Sequence, residues 1–389
     1  MRATPEASRQ AATETHTEAK TVEDWAHLEP AAPIADIRSL SETLERRVLG
    51  QDTAIESLVS GFSRALSGLR DPNRPLMTAL LLGPTGVGKT ETARAIAEAL
   101  FGSDRSMTRV TGEEYSQGHE VSKLTGAPPG YVGHQVESLL TQRRIDGPHR
   151  TLREADEEEK TGKGELADKI CGGDPDAFAS VVLFDEIEKA DPKMWNGLLG
   201  IMEEGVVTLG NNTTTDFRRS IIIMTSNVGS RQLAEHFDNQ PLGFGIPGES
   251  SGAEDVQELA LAAARKEFPL EFLNRFDEVL TYSALERETL DQILDKFIEE
   301  LHARALNNAG MPLLIKLSDA ARELLIDSGT NLRFGARPLR RAVERELVGP
   351  LSRLIAGATL EKGDVVHVER EEDRLEFYRD RRTNTALVA

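Results

Sequence analysis

Cysteine is almost absent from this sequence: Cys171 is the single copy among 389 residues. One cysteine excludes an intramolecular disulfide and a metal site built from several thiolates, and such scarcity is typical of a reducing compartment. Basic residues are also in deficit, with 46 Lys and Arg against 65 Asp and Glu, a formal net charge of −19. Because neutralising nucleic-acid phosphates takes a surplus of basic surface, this balance argues against a general nucleic-acid binder.

Long hydrophobic runs are missing as well. The first thirty residues contain no apolar signal-peptide segment, and no later stretch approaches the ~18 apolar residues of a membrane span. Apolar residues still make up 39% of the chain, which is typical of a globular protein. We therefore expect a soluble, cytoplasmic protein with neither a membrane nor a nucleic-acid partner.

The apolar patterns divide the chain into a flexible leader (1–37), a large domain (38–283), a small domain (284–380) and a tail (381–389). In the large domain, short apolar runs alternate with helical patterns, which predicts a parallel α/β sheet covered by helices on both faces. Its strand candidates are Ala79–Leu82, Val181–Phe184 and Ser220–Thr225. The small domain is mainly helical and closes with a predicted β-hairpin. Its helix candidates are Glu286–Ala305, Ser318–Ser328 and Arg337–Ala356.

Three local features of the large domain lead to separate predictions. Apolar residues at three- and four-residue steps indicate a helix from Asp52 to Leu69, with Asp52 as its N-cap. The charged insertion 143–176 is interpreted as a solvated helix, with a partner or regulatory surface as the alternative. The stretch 241–255, rich in Gly, Pro and Ser, is predicted to be a loop.

Eight consecutive residues fit the phosphate-binding pattern G-x-x-x-x-G-K-[ST]: Gly83, Pro84, Thr85, Gly86, Val87, Gly88, Lys89 and Thr90. A predicted strand precedes them and a helical pattern follows, which is the context that this motif requires. The glycines let backbone N–H groups wrap a phosphate at the helix N-terminus. Lys89 supplies a positive charge to the β- and γ-phosphates, and the Thr90 hydroxyl can bind Mg²⁺. The pattern therefore predicts a nucleotide site.

Two carboxylates, Asp185 and Glu186, follow the strand candidate Val181–Phe184. In a parallel sheet the carboxyl ends of the strands line the ligand crevice. There Asp185 would hold Mg²⁺ through water, and Glu186 would act as general base on the attacking water. Without the phosphate loop upstream, the same pair could be a solvated strand end.

Six further segments extend these motifs: VLGQ at 48–51, DPNRP at 71–75, GAPPGYVG at 126–133, TSN at 225–227, FLNRFD at 272–277 and GARPL at 335–339. Together with the phosphate loop and the acidic pair they resemble the AAA+ class of P-loop ATPases, and more narrowly the second ATPase module of the Clp family of protein unfoldases and disaggregases. The resemblance spans roughly residues 46–368. It implies an AAA+ large domain with a smaller helical domain, and ATP with Mg²⁺ as ligands.

The resemblance also implies roles around the nucleotide. Val48 and Leu49 would flank adenine, and Asn227 would orient the attacking water. Arg275 resembles the arginine finger that reaches a neighbouring subunit's nucleotide, and Arg337 the arginine that contacts the γ-phosphate of its own subunit. A site completed by a neighbour implies a homo-oligomeric ring, six subunits by resemblance. Apart from the resemblance, Val48 and Leu49 could be ordinary core, Asn227 a turn cap, and either arginine a surface cation.

Two more segments resemble substrate and partner sites of the Clp family. Tyr131 and Val132 resemble the pore loop that grips unfolded polypeptide, with a Gly/Pro turn and a packed Tyr as the alternative. Leu242, Gly243 and Phe244 resemble the tripeptide that docks Clp members onto a peptidase; alternatively, Phe244 packs against its own domain.

These features favour an ATP-hydrolysing ring that unfolds and threads unfolded or tagged proteins, and that can feed a separate Clp-type peptidase with the help of an adaptor. The alternative is an AAA+ switch or assembly factor that remodels one dedicated partner without threading it. A nucleic-acid motor is disfavoured by the charge of −19.

Overall fold

The computed structural model of the chain describes residues 35–126, 138–159, 164–230, 251–307, 310–329 and 335–380. All of them belong to one of the two units into which the chain divides, the one that begins at Ala35. Five predicted site residues lie outside the described ranges: Tyr131, Val132, Leu242, Gly243 and Phe244.

Ten strands lie in these ranges: β1 (Met77–Leu82), β2 (Thr108–Thr111), β3 (Ser180–Asp185), β4 (Val206–Thr208), β5 (Thr214–Asp216), β6 (Ser220–Ser226), β7 (Glu278–Thr281), β8 (Leu314–Leu317), β9 (Val365–Glu371) and β10 (Arg374–Arg379). The α-helices there are α1 (Ala35–Arg47), α2 (Asp52–Leu66), α3 (Lys89–Phe101), α4 (Val121–Thr125), α5 (Gln142–Glu159), α6 (Glu165–Ile170), α7 (Pro192–Glu204), α8 (Ser251–Glu267), α9 (Leu270–Leu273), α10 (Arg287–Asn307), α11 (Asp319–Gly329), α12 (Arg337–Ala342) and α13 (Gly349–Ala356).

The central sheet has five parallel strands in the order β2-β3-β6-β1-β7. Every residue of β1, β3 and β6 is buried. This is expected for strands with helices on both faces of the sheet, and it explains why their sequences are continuous apolar runs. The predicted parallel α/β sheet is therefore confirmed. The register pairs Leu82 with Ser226, which brings the carboxyl ends of β1 and β6 to the same edge.

The sequence patterns missed the two edge strands of this sheet. β2 and β7 have four residues each, and each has a single buried position. A short strand with one buried side chain leaves almost no periodic signal in the sequence, so only its pairing with a neighbour identifies it.

The C-terminal part confirms the predicted helices and the terminal hairpin. The first two helical patterns correspond to α10 and α11. The third corresponds to a continuous run from α12 through a π-helical turn (Val343–Val348) to α13. Strands β9 and β10 form the antiparallel hairpin, and β8, which the patterns missed, pairs in parallel with β9. The boundary near residue 283 stays a prediction.

The N-terminal helices differ from the patterns in three details. Helix α1 begins at Ala35 and buries Ile37, so residues 35–37 are helical, whereas the rest of the predicted leader lies outside the described residues. Helix α2 starts with Asp52 as its first residue and Gln51 in the cap position, so the predicted Asp52 cap is wrong. Gln51 instead exchanges side-chain hydrogen bonds with the backbone of Ser283, at 3.0 and 3.1 Å. Helix α2 ends at Leu66, and Leu69 is 92% exposed.

The charged insertion packs against the core instead of lying free in solvent. Helices α5 and α6 bury His149, Ile145 and Leu166. The Nδ1 atom of His149 accepts a hydrogen bond from the Ala179 N–H at 2.9 Å, and its Nε2 lies 3.2 Å from a carboxylate oxygen of Asp168. The prediction of a solvated helix is therefore wrong for the side of α5 that carries Ile145 and His149.

The predicted loop 241–255 is wrong at its C-terminal end. Helix α8 begins at Ser251, so residues 251–255 are helical. Residues 241–250 lie outside the described ranges.

Candidate nucleotide site

The phosphate-binding pattern forms the turn between β1 and α3. Gly83, Gly86 and Gly88 all have positive φ, at 143°, 76° and 111°. A Cβ on Gly83 would lie 2.5 Å from the carbonyl oxygen of Tyr282, so only glycine fits this approach of two backbones. The turn delivers the chain into α3 at Lys89, where the first N–H groups of the helix have no carbonyl partner within it and can bind an anion.

Lys89 is buried at the floor of this turn. Its Nζ donates hydrogen bonds to the carbonyl oxygens of Gly83 and Pro84, both at 2.5 Å, and to Oδ1 of Asn227 at 2.9 Å. Burial lowers the pKa of Lys89 to about 7, and the nearby Glu188 and Asp185 only partly offset this effect. A phosphate beside Lys89 would supply the negative charge that stabilises its protonated form.

Asp185 lies at the carboxyl end of β3, where three side chains contact its carboxylate. Its Oδ1 accepts hydrogen bonds from the Thr90 hydroxyl at 3.1 Å and the Thr225 hydroxyl at 2.5 Å. Its Oδ2 accepts one from Nη2 of Arg109 at 2.6 Å. Thr225 therefore connects the ends of β3 and β6 and fixes the orientation of this buried carboxylate.

The pair of Thr90 and Asp185 fits Mg²⁺, because both supply hard oxygen ligands next to the phosphate turn. Among the residues described, no group of three or more His, Cys, Asp and Glu side chains could hold a metal by itself. Where Mg²⁺ binds together with a nucleotide, phosphate oxygens and water supply the rest of its ligands.

Glu186, the residue after Asp185, has a left-handed backbone conformation, with φ of 57°. This conformation is uncommon for a residue with a side chain, and it is stabilised by the Glu186 N–H donating to the Thr225 hydroxyl at 3.0 Å. The Glu186 carboxylate accepts a hydrogen bond from Nδ2 of Asn227 at 3.3 Å and pairs with Nζ of Lys189 at 2.7 Å. Asn227 thus lies between Lys89 and Glu186.

The cleft above these groups has a volume of about 570 Å³. The predicted Val48 and Leu49 line it, together with the apolar side chains of Leu285, Ile293 and Phe297. The described C-terminal helices therefore contribute one wall of the cleft. An apolar wall of this kind is suited to a nucleotide base.

Arg337 lines the same cleft at the start of α12. The segment before it lies directly on the phosphate turn, because the Ala336 N–H donates to the Gly86 carbonyl at 3.0 Å. Gly335 has φ of +55°, and a Cβ there would lie 2.6 Å from backbone atoms of Gly86. Arg337 is close enough to Lys89 that its charge helps to lower the pKa of that lysine.

Arg275 is not among the residues that line the cleft. It lies at a separate pocket with Arg74, Glu203 and Asn274, where its guanidinium pairs with the Glu203 carboxylate. Its carbonyl oxygen accepts hydrogen bonds from Nη2 of Arg74 at 2.8 Å and from the Thr78 hydroxyl at 3.1 Å. The Nε of Arg275 is buried without a hydrogen-bond partner.

Sequence reasoning missed several residues of the cleft. Arg109 stands on the short edge strand β2, which carried no pattern, and nothing else in the sequence singled it out. Thr225 was noticed only as part of a family marker, although it contacts both members of the acidic pair. Phe297 and Ile293 look like ordinary core positions of an amphipathic helix, and only packing shows that they face the cleft.

A phosphate turn between a buried parallel strand and a helix, facing an acidic strand end, defines a P-loop nucleotide-binding protein. Two family models match the chain. The AAA domain (Cdc48 subfamily) matches residues 74–164 and 153–279, and the C-terminal, D2-small domain of ClpB protein matches residues 285–368.

Curated relatives point the same way. The chain is 34% identical over 371 residues to the negative regulator of genetic competence ClpC/MecB of Bacillus subtilis, which covers 94% of this chain and 41% of the relative. It is 36% identical over 340 residues to the chaperone protein ClpB 2 of Nostoc sp., a match that covers 87% of this chain and 34% of the relative. It is 37% identical over 333 residues to ClpC of Staphylococcus epidermidis, which is named as an ATP-dependent Clp protease ATP-binding subunit. This match covers 86% of this chain and 36% of the relative.

The chain belongs to the Clp family of AAA+ ATPases. It spans about a third to two-fifths of the length of these relatives. None of the helices in the described part of the chain is both long and apolar enough to cross a lipid bilayer.

Proposed function

We infer that this chain binds ATP with Mg²⁺ in the cleft and hydrolyses it with Glu186 as general base. The observation that carries this proposal is the position of Asn227, whose amide contacts Lys89 at 2.9 Å and Glu186 at 3.3 Å. In this proposal Lys89 contacts the γ-phosphate and Glu186 contacts the attacking water. An amide between the two can hold that water in line with the phosphorus atom.

The remaining groups of the cleft have complementary roles. Bound Mg²⁺ would neutralise charge on the phosphates, with the Thr90 hydroxyl and the Asp185 carboxylate as its protein ligands. Val48 and Leu49 contact the adenine, and Arg337 contacts the γ-phosphate from the C-terminal helices. The support for Arg337 is its place on the cleft wall beside the phosphate turn.

The first test is direct titration of the chain with ATP and Mg²⁺ by calorimetry. Lys89→Ala should weaken binding of ATP strongly, because the buried ammonium is the cation that meets the phosphates. Arg64→Ala, at an exposed ion pair with Glu278 outside the cleft, is the matched control and should bind normally. If the wild-type chain bound no nucleotide, the proposal would fall.

We propose further that the chain assembles into a homo-oligomeric ring, six subunits by its family, in which Arg275 reaches the nucleotide of the next subunit. Two observations support this. Arg275 does not line its own subunit's cleft, and its guanidinium is partly exposed beside a carboxylate that is also partly exposed. A side chain placed in this way can exchange Glu203 for a phosphate of a neighbouring copy.

The substrate that we propose is an unfolded or tagged polypeptide, threaded through the ring in the cytoplasm. Tyr131 and Val132 would grip it, because an aromatic side chain between glycines makes a large contact with any sequence. Adaptor proteins would deliver it. The support is membership of a family whose relatives are named as a chaperone and as an ATP-binding subunit of a protease.

Tyr131→Ala tests threading. ATP hydrolysis should stay within about twofold of wild type, since the change removes only the proposed grip on polypeptide, whereas unfolding of a tagged fluorescent reporter should stop. Tyr131→Phe keeps the ring of the side chain and is the matched control. Unfolding by Tyr131→Ala at the wild-type rate would favour a switch or assembly factor that remodels one partner without threading it.

Coupling to a Clp-type peptidase is the last part of the proposal. Leu242, Gly243 and Phe244 would dock into apolar clefts on the peptidase, where each large side chain leaves water. A ring repeats this contact on every subunit and so raises its strength through avidity. Changing both Leu242 and Phe244 to Ser should abolish peptidase-dependent degradation and spare unfolding. Degradation at the wild-type rate would remove the tripeptide from this role.

A further inference from the structure

Arg109 neutralises the carboxylate that is expected to face the magnesium ion. It stands on edge strand β2, in register with Leu183 of β3, and its Nη2 lies 2.6 Å from Oδ2 of Asp185. The Asp185 side chain is only 7% exposed, whereas the Arg109 side chain is 46% exposed and lines the nucleotide cleft. The contact therefore joins a fixed, buried anion to a cation that can move into solvent.

The two oxygens of Asp185 differ in the charge of their partners. Oδ1 is held by the hydroxyls of Thr90 and Thr225, which are neutral and belong to the framework of the site. Oδ2 accepts a hydrogen bond from the guanidinium of Arg109 at 2.6 Å and a longer one from the Thr90 hydroxyl at 3.4 Å, so Arg109 is the cation among its described contacts. A buried carboxylate is costly unless cations compensate its charge, and Arg109 is the cation in direct contact with Asp185, with Lys89 interacting at longer range.

Magnesium would place two positive charges beside the same carboxylate. A guanidinium at 2.6 Å from Oδ2 would then oppose the ion, because like charges on one side of a carboxylate repel at short range. Arg109 has an exposed route away from Asp185, whereas Asp185 has none. The cation that gives way is therefore Arg109.

We propose that Arg109 is a positioning residue that holds Asp185 in the metal-free cleft and leaves Oδ2 when Mg²⁺ and nucleotide bind. The inference rests on the proposed nucleotide function of this cleft. It has a thermodynamic consequence: breaking the ion pair subtracts from the free energy of metal binding, so Arg109 lowers the Mg²⁺ affinity of the nucleotide complex. Removing the cation should raise that affinity.

The experiment is a Mg²⁺ titration of nucleotide binding, followed with a fluorescent ATP analogue. All chains carry Glu186→Gln so that hydrolysis does not consume the probe. Arg109→Met should lower the Mg²⁺ concentration at half-saturation by about three- to tenfold, the effect of losing one competing ion pair. Arg109→Lys keeps the charge and should stay near the parent value.

The matched control is Arg94→Met, which removes an arginine that lines the same cleft but pairs with Glu91 at 3.6 Å. Its Mg²⁺ midpoint should change less than twofold. A general loss of positive potential would instead shift Arg94→Met and Arg109→Met alike. An equal shift in the two variants would therefore overturn the proposal, as would an unchanged or raised midpoint in Arg109→Met.

Thermal unfolding in EDTA without nucleotide gives a second readout. Arg109→Met should unfold at a lower temperature than wild type, because Asp185 is left buried without its cation. In an Asp185→Asn background, where the charge is gone, the same change should have little effect; an undiminished effect would count against the pairing.

A wild-type chain that bound no nucleotide would overturn the proposed function and this inference together. If the wild-type chain binds nucleotide but Arg109→Met leaves the Mg²⁺ midpoint unchanged, the inference alone is overturned.

Discussion

The nucleotide cleft and the Arg275 pocket differ in how far one subunit satisfies their charges. In the cleft, Lys89 and Asp185 are buried, and each has three polar partners within the chain. In the Arg275 pocket, both partners of the ion pair are more than a third exposed, and the Nε of Arg275 is buried without a partner. The charges of the first site are paired inside the fold, whereas the ion pair of the second site is accessible to another molecule.

The largest effect is expected at the Arg275 pocket. If Arg275 reaches the nucleotide of a neighbouring subunit as proposed, Arg275→Ala in assembled protein should lower ATP turnover on the order of 10³-fold or more, because the transition state loses that positive charge. Steady-state ATPase assays measure the loss. Arg265→Ala, an exposed arginine of α8, is the control.

The same variant tests whether the nucleotide cleft needs an arginine from another subunit. If Arg275 acts across an interface, mixing Arg275→Ala with Glu186→Gln subunits should restore part of the hydrolysis, at interfaces that pair an intact arginine with an intact base. Full ATPase activity of Arg275→Ala as an isolated monomer would show that the cleft is complete by itself.

Glu186→Gln should reduce turnover by about 10²–10⁴ while ATP binding stays intact, since the general base is lost but the phosphate turn is unchanged. Binding by calorimetry and turnover by phosphate release separate the two effects. Glu113→Gln is the matched control, because Glu113 also contacts Lys189, at 3.6 Å, but is well exposed. Turnover of Glu186→Gln within twofold of wild type would exclude Glu186 as the base.

Gly335→Ala tests whether the C-terminal helices complete the cleft. The new Cβ would lie 2.6 Å from the Gly86 backbone and would strain a residue with φ of +55°. The segment before α12 must then move, and ATP affinity should fall about tenfold, or about 1.4 kcal/mol.

Gly363→Ala separates contact from strain. Gly363 has φ of +86° and no atom within 4 Å of the added Cβ, so the alanine there is strained but meets nothing. It should lower stability and leave ATP affinity unchanged. Equal losses of affinity in the two variants would contradict the role given to the Gly335 contact.

The smallest expected effect concerns His149, which packs against Phe101 of α3 with ring centroids 5.7 Å apart. Burial lowers the pKa of His149; Arg153 also lowers it, and Asp168 opposes the shift. Below the unfolded pKa of about 6.5, the unfolded chain binds a proton that the folded chain resists, so stability is lost as the pH falls from there towards the lowered folded pKa. Above pH 6.5 this contribution is constant.

Urea unfolding at pH 7 and pH 5.5 measures this effect. His149→Gln should be less stable at pH 7, because the imidazole contacts with the Ala179 N–H and with one oxygen of Asp168 are lost, but it should lose less stability on acidification than wild type. An equal loss in both proteins would assign the pH dependence to other groups. ATP affinity at pH 7 should not change, which would confine the effect to the support of α3.

Much of the cleft could be predicted from sequence because its chemistry is local. The phosphate turn occupies eight adjacent residues, and Asp185 and Glu186 follow an apolar strand, so pattern and spacing point to both. Arg109 could not be found in this way. Its partner Asp185 is 76 residues away, and the two meet only because β2 pairs with β3. The insertion was misread for a related reason, since the charges of α5 outnumber its buried residues although His149 is fully enclosed.

Sequence patterns alone predicted the buried parallel strands, the phosphate turn, the acidic pair and the C-terminal helices with their hairpin, because each of these depends on residues that are close together in the chain. Which distant residues contact one another depends on the tertiary fold. It placed Asn227 between Lys89 and Glu186, Arg109 on Asp185, and Gly335 against Gly86. Side chains far apart in sequence carry no periodic signal of their pairing, and only the register of the sheet and the packing of the helices bring them within hydrogen-bonding distance.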